Sequence, residues 1–247
     1  MNEYYVIDPQ TYDDQFWWKK DDIEFWKSTL ITTHTHASIL ELAAGTGRLG
    51  SPLIREGAHY TGLELSKKYV KYANHKFKSY NPLILGDMRD FSFYKKYDFI
   101  FIGFNSFLHL LSESDAKQCL ISIKRHMHVN TKVYIDILMP SRSLLSCPSS
   151  SILTAIEFFD SQKRCLSRIK EKFFYNSLDE TVSVNWQYKN EKNICYKQFN
   201  FQMKLYYPDT MKKILKDTGF YIYNLWGSYD KAPHKKNSPL QIYELGL

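Results

Sequence analysis

The run ILELAAGTGRLG at residues 39–50 places a carboxylate, Glu41, near the end of an apolar stretch and follows it with glycines at 45, 47 and 50. Such glycines let a backbone turn tightly and lie against a ligand with no side chain between them. Two more acids close apolar stretches downstream, Glu64 in GLELS and Asp87 in ILGDM. A carboxylate that ends a buried strand is costly without a partner. Seventeen residues beyond Gly47, Glu64 stands where an acid can accept both hydroxyls of a ribose. Asp87 can accept from an adenine amino group, with Met88 and Phe104 able to pack on the adenine face. His109, in NSFLHL, has an unperturbed pKa near neutrality and is a candidate proton acceptor.

The ligand these residues suit is a nucleoside with a positive centre and no phosphate. The turn lacks the lysine of a GxxxxGK[ST] phosphate loop. Glu41 would repel a phosphate but tolerate a cation, so a dinucleotide is the poorer match.

Positioning them requires a particular scaffold. Residues 11–31 read as one amphipathic helix, with Phe16, Trp17, Ile23, Trp26 and Leu30 on its apolar face. Strands are expected at 37–43, 59–66, NPLILGDM, 97–104 and 131–140. Helices are expected between them at 48–57, at 66–79 with Ser66 as N-cap, and at 112–127. This alternation predicts an α/β fold, a doubly wound, mostly parallel, seven-stranded Rossmann-like sheet. Ligands of such sheets bind beyond the carboxyl ends of the strands. Glu41, Ala43, Gly45, Thr46, Gly47, Glu64, Leu65, Asp87, Met88, Phe104 and Asn105 all fall there. After Pro140 a Ser/Pro-rich connection leads to three strands at 163–207 that read as an antiparallel insertion, followed by a helix at 208–219 and two last strands. The expected organisation is an N-terminal helical lid at 1–36, a nucleoside-binding domain at 37–140 and 208–247, and a substrate cap at 141–207.

ILELAAGTGRLG, GLELS, ILGDMRDF and YDFIFIGFNSFLHL, in that order, resemble class I S-adenosylmethionine (SAM)-dependent methyltransferases. The resemblance covers about residues 37–140 and is greatest to the small-molecule group near the glycine and amino-sugar N-methyltransferases. It implies SAM as cofactor, S-adenosylhomocysteine as product, and the strand-end residues named above as the cofactor's contacts. It also implies a small-molecule acceptor, with N-methylation favoured over O-methylation. His109 falls where that group has an active-site histidine, and Tyr12 belongs to a TYD-like segment that closes over the cofactor. One departure is HMHVNTK at 126–132, where the glycines that usually end the helix before the fifth strand are absent.

The remaining composition narrows the alternatives. Lys and Arg exceed Asp and Glu by seven, but KK pairs at 19, 67, 95, 212 and 235 spread that charge, as on a solvated surface. A nucleic-acid methyltransferase is a second reading. Against it, the fourth strand ends in GFNSFLHL rather than [DN]PP[YF], and no compact basic stripe is present. A non-catalytic SAM-fold partner protein is a third. The four cysteines form no CxxC pair, so neither a metal site nor a disulfide framework is expected. No apolar run has the roughly 18 residues of a membrane span, the acidic N-terminus does not read as a signal peptide, and a cytoplasmic protein is expected. An exposed edge of the insertion could pair two copies in a homodimer.

Overall fold

The computed structural model describes residues 7–31, 36–78, 80–141, 145–146, 148 and 151–247. Cys147, much of the Ser/Pro-rich connection and the start of the N-terminal segment lie outside these. The chain forms two compact units, one of residues 20–139 with 206–247 and one of residues 1–19 with 140–205. The segment expected as a single lid at 1–36 is therefore shared between them.

In the larger unit, β1 (Ser38–Leu42), β2 (His59–Glu64), β3 (Leu83–Leu85), β4 (Tyr97–Ile102) and β5 (Met127–Leu138) are parallel. The smaller unit contributes β6 (Leu153–Asp160), β7 (Cys165–Asn176), β8 (Thr181–Asn190) and β9 (Cys195–Lys204). The larger unit then ends with β10 (Tyr221–Trp226) and β11 (Leu240–Gly246). Its seven strands are ordered β10-β11-β5-β4-β1-β2-β3, with β11 antiparallel to both neighbours. From β1 the chain steps outward to β2 and β3, then returns to place β4 on the other side of β1. The order thus reverses between β1 and β4, where an open α/β sheet offers its ligand crevice. Ile39, Leu40 and Leu42 are fully buried in β1, as expected of a strand covered on both faces.

The helix expected over 11–31 is two helices, α1 (Pro9–Gln15) in the smaller unit and α2 (Asp21–Leu30) in the larger. Asp21, Asp22 and Glu24 fill the first turn of α2, where the helix dipole favours negative charge. Trp17, expected on the apolar face, lies in the break and is 62% exposed. Trp26 on α2 packs against Phe101 of β4 at 4.7 Å and Tyr134 of β5 at 6.2 Å between ring centroids. Helices α3 (Gly50–Arg55), α4 (Lys67–Lys76) and α5 (Glu113–Arg125) follow the expected alternation, and α6 spans Pro208–Asp217. Ser66 caps α4 by accepting the Tyr69 N–H.

The missing glycines before β5 are replaced by His126. It closes α5 with its N–H on Ile123 O, its Nδ1 lies 2.7 Å from Ser122 O, and its Nε2 accepts the Phe93 N–H at 2.8 Å. Its ring stacks on Phe91 at 4.6 Å, and burial holds its pKa below the usual range.

In the smaller unit β6–β9 form a four-stranded antiparallel sheet, one strand more than expected. The extra strand, β6, is an edge strand of irregular polarity, LTAIEFFD, whose pairing with β7 carries a register irregularity between Thr154 and Ile156.

One ion pair ties α2 to the glycine turn. Arg48 donates to the fully buried Asp22 through both terminal nitrogens, at 3.0 and 2.5 Å. Removing one partner of a buried pair costs far more than the pair itself contributes. Asp22→Ala is expected to lower stability by about 3 kcal/mol in urea denaturation, whereas a loss within 0.5 kcal/mol would class the pair with weak surface contacts.

Candidate functional site

The turn after β1 is built from left-handed backbone. Ala43, Gly45 and Gly47 have φ of 57°, 58° and 72°. A β-carbon at Gly45 would meet no atom within 4 Å, so the backbone there borders open space. At Gly47 a β-carbon would lie 2.7 Å from the Phe77 ring, so this glycine serves the packing of α4. Thr46, between them, is fully buried.

Glu64 joins this turn to the end of β2. Its side chain is buried, with one oxygen accepting the Gly45 N–H at 2.9 Å and the other the Ser66 N–H at 2.7 Å. Burial pushes its carboxyl up from the usual range, against the pull of these N–H groups. A carboxylate has about four acceptor positions, so each oxygen keeps capacity for a further donor. Leu65 follows at 49% exposed.

Glu41 is engaged differently. It lies in the body of β1, and its carboxyl accepts from the buried Tyr60 hydroxyl at 2.5 Å. Burial raises its pKa to about 8, opposed by the Tyr60 hydrogen bond and the charge of Arg48. Near neutrality it holds a proton.

Asp87 and Met88, both partly exposed, follow β3. Asp87 is occupied by Arg89, which donates from Nε at 3.0 Å and from a terminal nitrogen at 2.6 Å, and which also reaches Asp115 at 3.2 Å. Arg89 holds the Asp87 carboxyl below its ordinary range.

Beyond β4, Phe104 and Asn105 are consecutive non-glycine residues with φ of 52° and 64°. Such strain persists where surrounding contacts fix it, and here they come from β5. Asp136 accepts the Phe104 N–H on its carboxylate and the Asn105 N–H on its carbonyl, both at 3.1 Å. Asn105 Oδ1 accepts the Leu138 N–H at 2.6 Å, and the Tyr229 hydroxyl donates to Asp136 at 2.7 Å. The Arg48 guanidinium lies 4.8 Å from the Phe104 ring centroid. A one-turn 3-10 helix, Ser106–His109, follows and carries His109 half-buried.

The larger unit therefore holds every sequence-derived site residue except Tyr12, which belongs to α1 of the smaller unit. Sequence reasoning missed Tyr60, Asp22, Arg48, Arg89, Asp136 and Tyr229. Asp136 carried a readable signal, an acid alone among the apolar residues of VYIDIL. Among the described residues, no group of His, Cys, Asp or Glu is arranged to hold a metal ion.

GTGRLG at 45–50 satisfies the GxGxxG spacing letter by letter, so the spacing is compatible with a dinucleotide. The argument against one is the acid in β1. A family model described as a methyltransferase domain matches residues 39–130, which span the glycine turn, both strand-end acids and the segment after β4. Over those residues the chain resembles the class I SAM-dependent methyltransferases. SAM is the cofactor of that class. The chain is 25% identical over 211 residues to YqeM of Bacillus subtilis (strain 168), whose own methyltransferase assignment is provisional; the match covers 83% of this chain and 69% of that one. Its fold is similar to a SAM-dependent methyltransferase from Clostridium acetobutylicum (TM-score 0.77, 19% identity, 96% of each chain). It is also similar to the sugar N-methyltransferase KedS8 from Streptoalloteichus (TM-score 0.72, 15% identity, 98% of this chain and 93% of that one).

The site has a titration signature at Glu41. Folding retains a proton there between the ordinary carboxyl pKa of 4.5 and about 8. The resulting stability is whole below pH 4.5 and is lost as pH rises through 8. Glu41→Gln keeps an oxygen for Tyr60 without this dependence. The unfolding free energy of the native protein minus that of E41Q is therefore expected to fall steadily from about pH 5 to pH 8 in urea titrations. A constant difference would show that Glu41 is ionised throughout.

Proposed function

We propose that this chain transfers the methyl group of SAM to a small-molecule acceptor, with a nitrogen acceptor favoured over an oxygen. The observation that carries the donor half is the Glu64–Gly45 contact. A buried carboxylate with spare acceptor capacity is fixed at the end of β2, beside a backbone position that borders open space. Glu64 would accept the two ribose hydroxyls. Gly45 and its neighbours Ala43, Thr46 and Gly47 would lie along the cofactor's amino-acid end, with Leu65, Met88 and Phe104 against its apolar parts. Asp87 can take the adenine amino group only by sharing its carboxylate with Arg89. Glu41, neutral when the site is empty of charge, gains a reason to ionise when a cationic ligand arrives.

When bound, SAM supplies an electrophilic methyl carbon on a sulfonium. The chain's own task is then positioning, because an in-line displacement needs alignment more than strong acid catalysis. His109 would accept the proton that the acceptor sheds. The strained Phe104–Asn105 turn, held from β5, keeps the start of the His109 helix in place. Tyr12 and the antiparallel unit are assigned to acceptor selection. The likeness in fold to a sugar N-methyltransferase supports nitrogen as the acceptor atom.

Calorimetric titration tests this reading. The protein is expected to bind both SAM and S-adenosylhomocysteine. Glu64→Gln is expected to weaken each about a hundredfold, as loss of two hydrogen bonds to a charged group implies. Unchanged affinity in E64Q would refute the ribose assignment, and failure of the native protein to bind either ligand would refute the donor.

A further inference from the structure

The positive surplus of the chain has one concentration. Residues 65–86, LSKKYVKYANHKFKSYNPLILG, hold five lysines and no acid, and so account for five of the surplus of seven. In the sequence the KK pair at 67 reads as one of five scattered pairs, but folding gathers it and its neighbours onto α4. Lys67, Lys71 and His75 follow one another at i, i+4 and share a face, with Lys68 beside Lys71. All four are exposed, as is Lys78 just beyond the helix. The opposite face is buried through Tyr69 and Ala73. Lys76 belongs to neither face: it lies over the Tyr72 ring at 5.2 Å and reaches Thr46 O at 3.5 Å.

This arrangement works against the helix that carries it. Helices α2, α5 and α6 each place an acid in the first turn, where the dipole favours negative charge, but α4 places Lys67 and Lys68 there. Lys67 and Lys71 are like charges one turn apart, which is also destabilising. Among the described residues Lys67, Lys71 and Lys78 make no ion pair. A polyanion laid along the face would satisfy all of these charges together. An anionic membrane takes helices whose apolar side chains enter the lipid, and the apolar residues of α4 are buried within its own unit. The core of a protein–protein interface is depleted of lysine. A nucleic-acid backbone asks for neither feature, because its phosphates bind lysine without any reading of the bases. A helix packed along one whole face cannot enter the groove of a duplex, so a single strand lying across the exposed face is the fit.

We propose that the exposed face of α4 binds the phosphodiester backbone of a single-stranded nucleic acid. Glu64 accepts the N–H of Ser66, the N-cap of α4, so the face starts beside the strand-end acid of the crevice. The binding lies wholly within the larger unit and does not depend on the donor assignment.

The test uses the full chain and fluorescein-labelled oligouridylate, followed by fluorescence anisotropy. Affinity is expected to fall about fiftyfold between roughly 50 and 200 mM salt, as about four lysine–phosphate contacts on a single strand imply. Lys67→Gln, Lys68→Gln, Lys71→Gln and Lys78→Gln together are expected to remove that steep dependence and to weaken binding about tenfold or more at the lower salt. Lys212→Gln with Lys213→Gln, which takes charge from ion-paired lysines of α6, is expected to leave both unchanged. Failure of the native protein to bind the RNA at the lower salt would overturn the proposal, as would an unchanged salt slope in the quadruple variant. Binding to phosphatidylserine vesicles but not to the RNA would overturn it in favour of a membrane surface. In urea denaturation the quadruple variant is expected to be at least as stable as the native protein, since it relieves repulsion within α4, so its loss of binding is not loss of fold. A parallel titration with S-adenosylhomocysteine keeps failure here separate from failure of the donor reading.

Discussion

A carboxylate buried at a strand end must find hydrogen-bond donors, and at Glu64 the chain supplies them from both directions. Gly45 N–H comes from the turn after β1, and Ser66 N–H from the start of α4. This one side chain therefore fixes the ends of two parallel strands against each other and holds the glycine turn open. The same economy recurs on the other side of the switch point. Asp136 on β5 accepts from the backbone of the Phe104–Asn105 turn and from Tyr229. The crevice is framed by two acids whose first duty is to the backbone. Unmet donors elsewhere in the chain, more than any attraction between strands, dictate where those acids point.

A second constraint comes from Arg48. It follows the glycine turn, pairs with buried Asp22 on α2, and lies over the Phe104 ring. One guanidinium thereby links a helix that precedes the sheet, the turn after β1 and the turn after β4. Arginine suits this role because its planar fork can satisfy a carboxylate in its plane while a ring stacks on its face.

The alternation of strand and helix, the seven strands and the strand-end acids were legible because they rest on local pattern, apolar runs punctuated by glycine and acid. What escaped depended either on weak local signals or on partners far along the chain. WKKDD could be read as part of one helix, yet its two acids mark a new helix start at Asp21. Strand β6 escaped because an edge strand lacks clean alternation. Tyr60 read as an ordinary strand residue, since only the fold brings its hydroxyl to Glu41 from the neighbouring strand. His126 shows the converse. The absence of glycines is plain in HMHVNTK, but the ring that replaces them bonds to Phe93, 33 residues earlier.

The sheet unit is interrupted in the chain by the antiparallel unit, and this has a consequence for synthesis. Strand β5 pairs with β11 between Val133 and Leu245, 112 positions apart. At ribosomal rates the edge of β5 waits on the order of ten seconds for its partner. The antiparallel unit, complete by residue 205, can close within that interval. The smaller unit, begun first with residues 1–19, is thus also finished first, and the nascent chain carries an unpaired strand edge while it closes. Slow translation through residues 206–247 would lengthen that exposure, and with it the opportunity for the edge to pair with another chain.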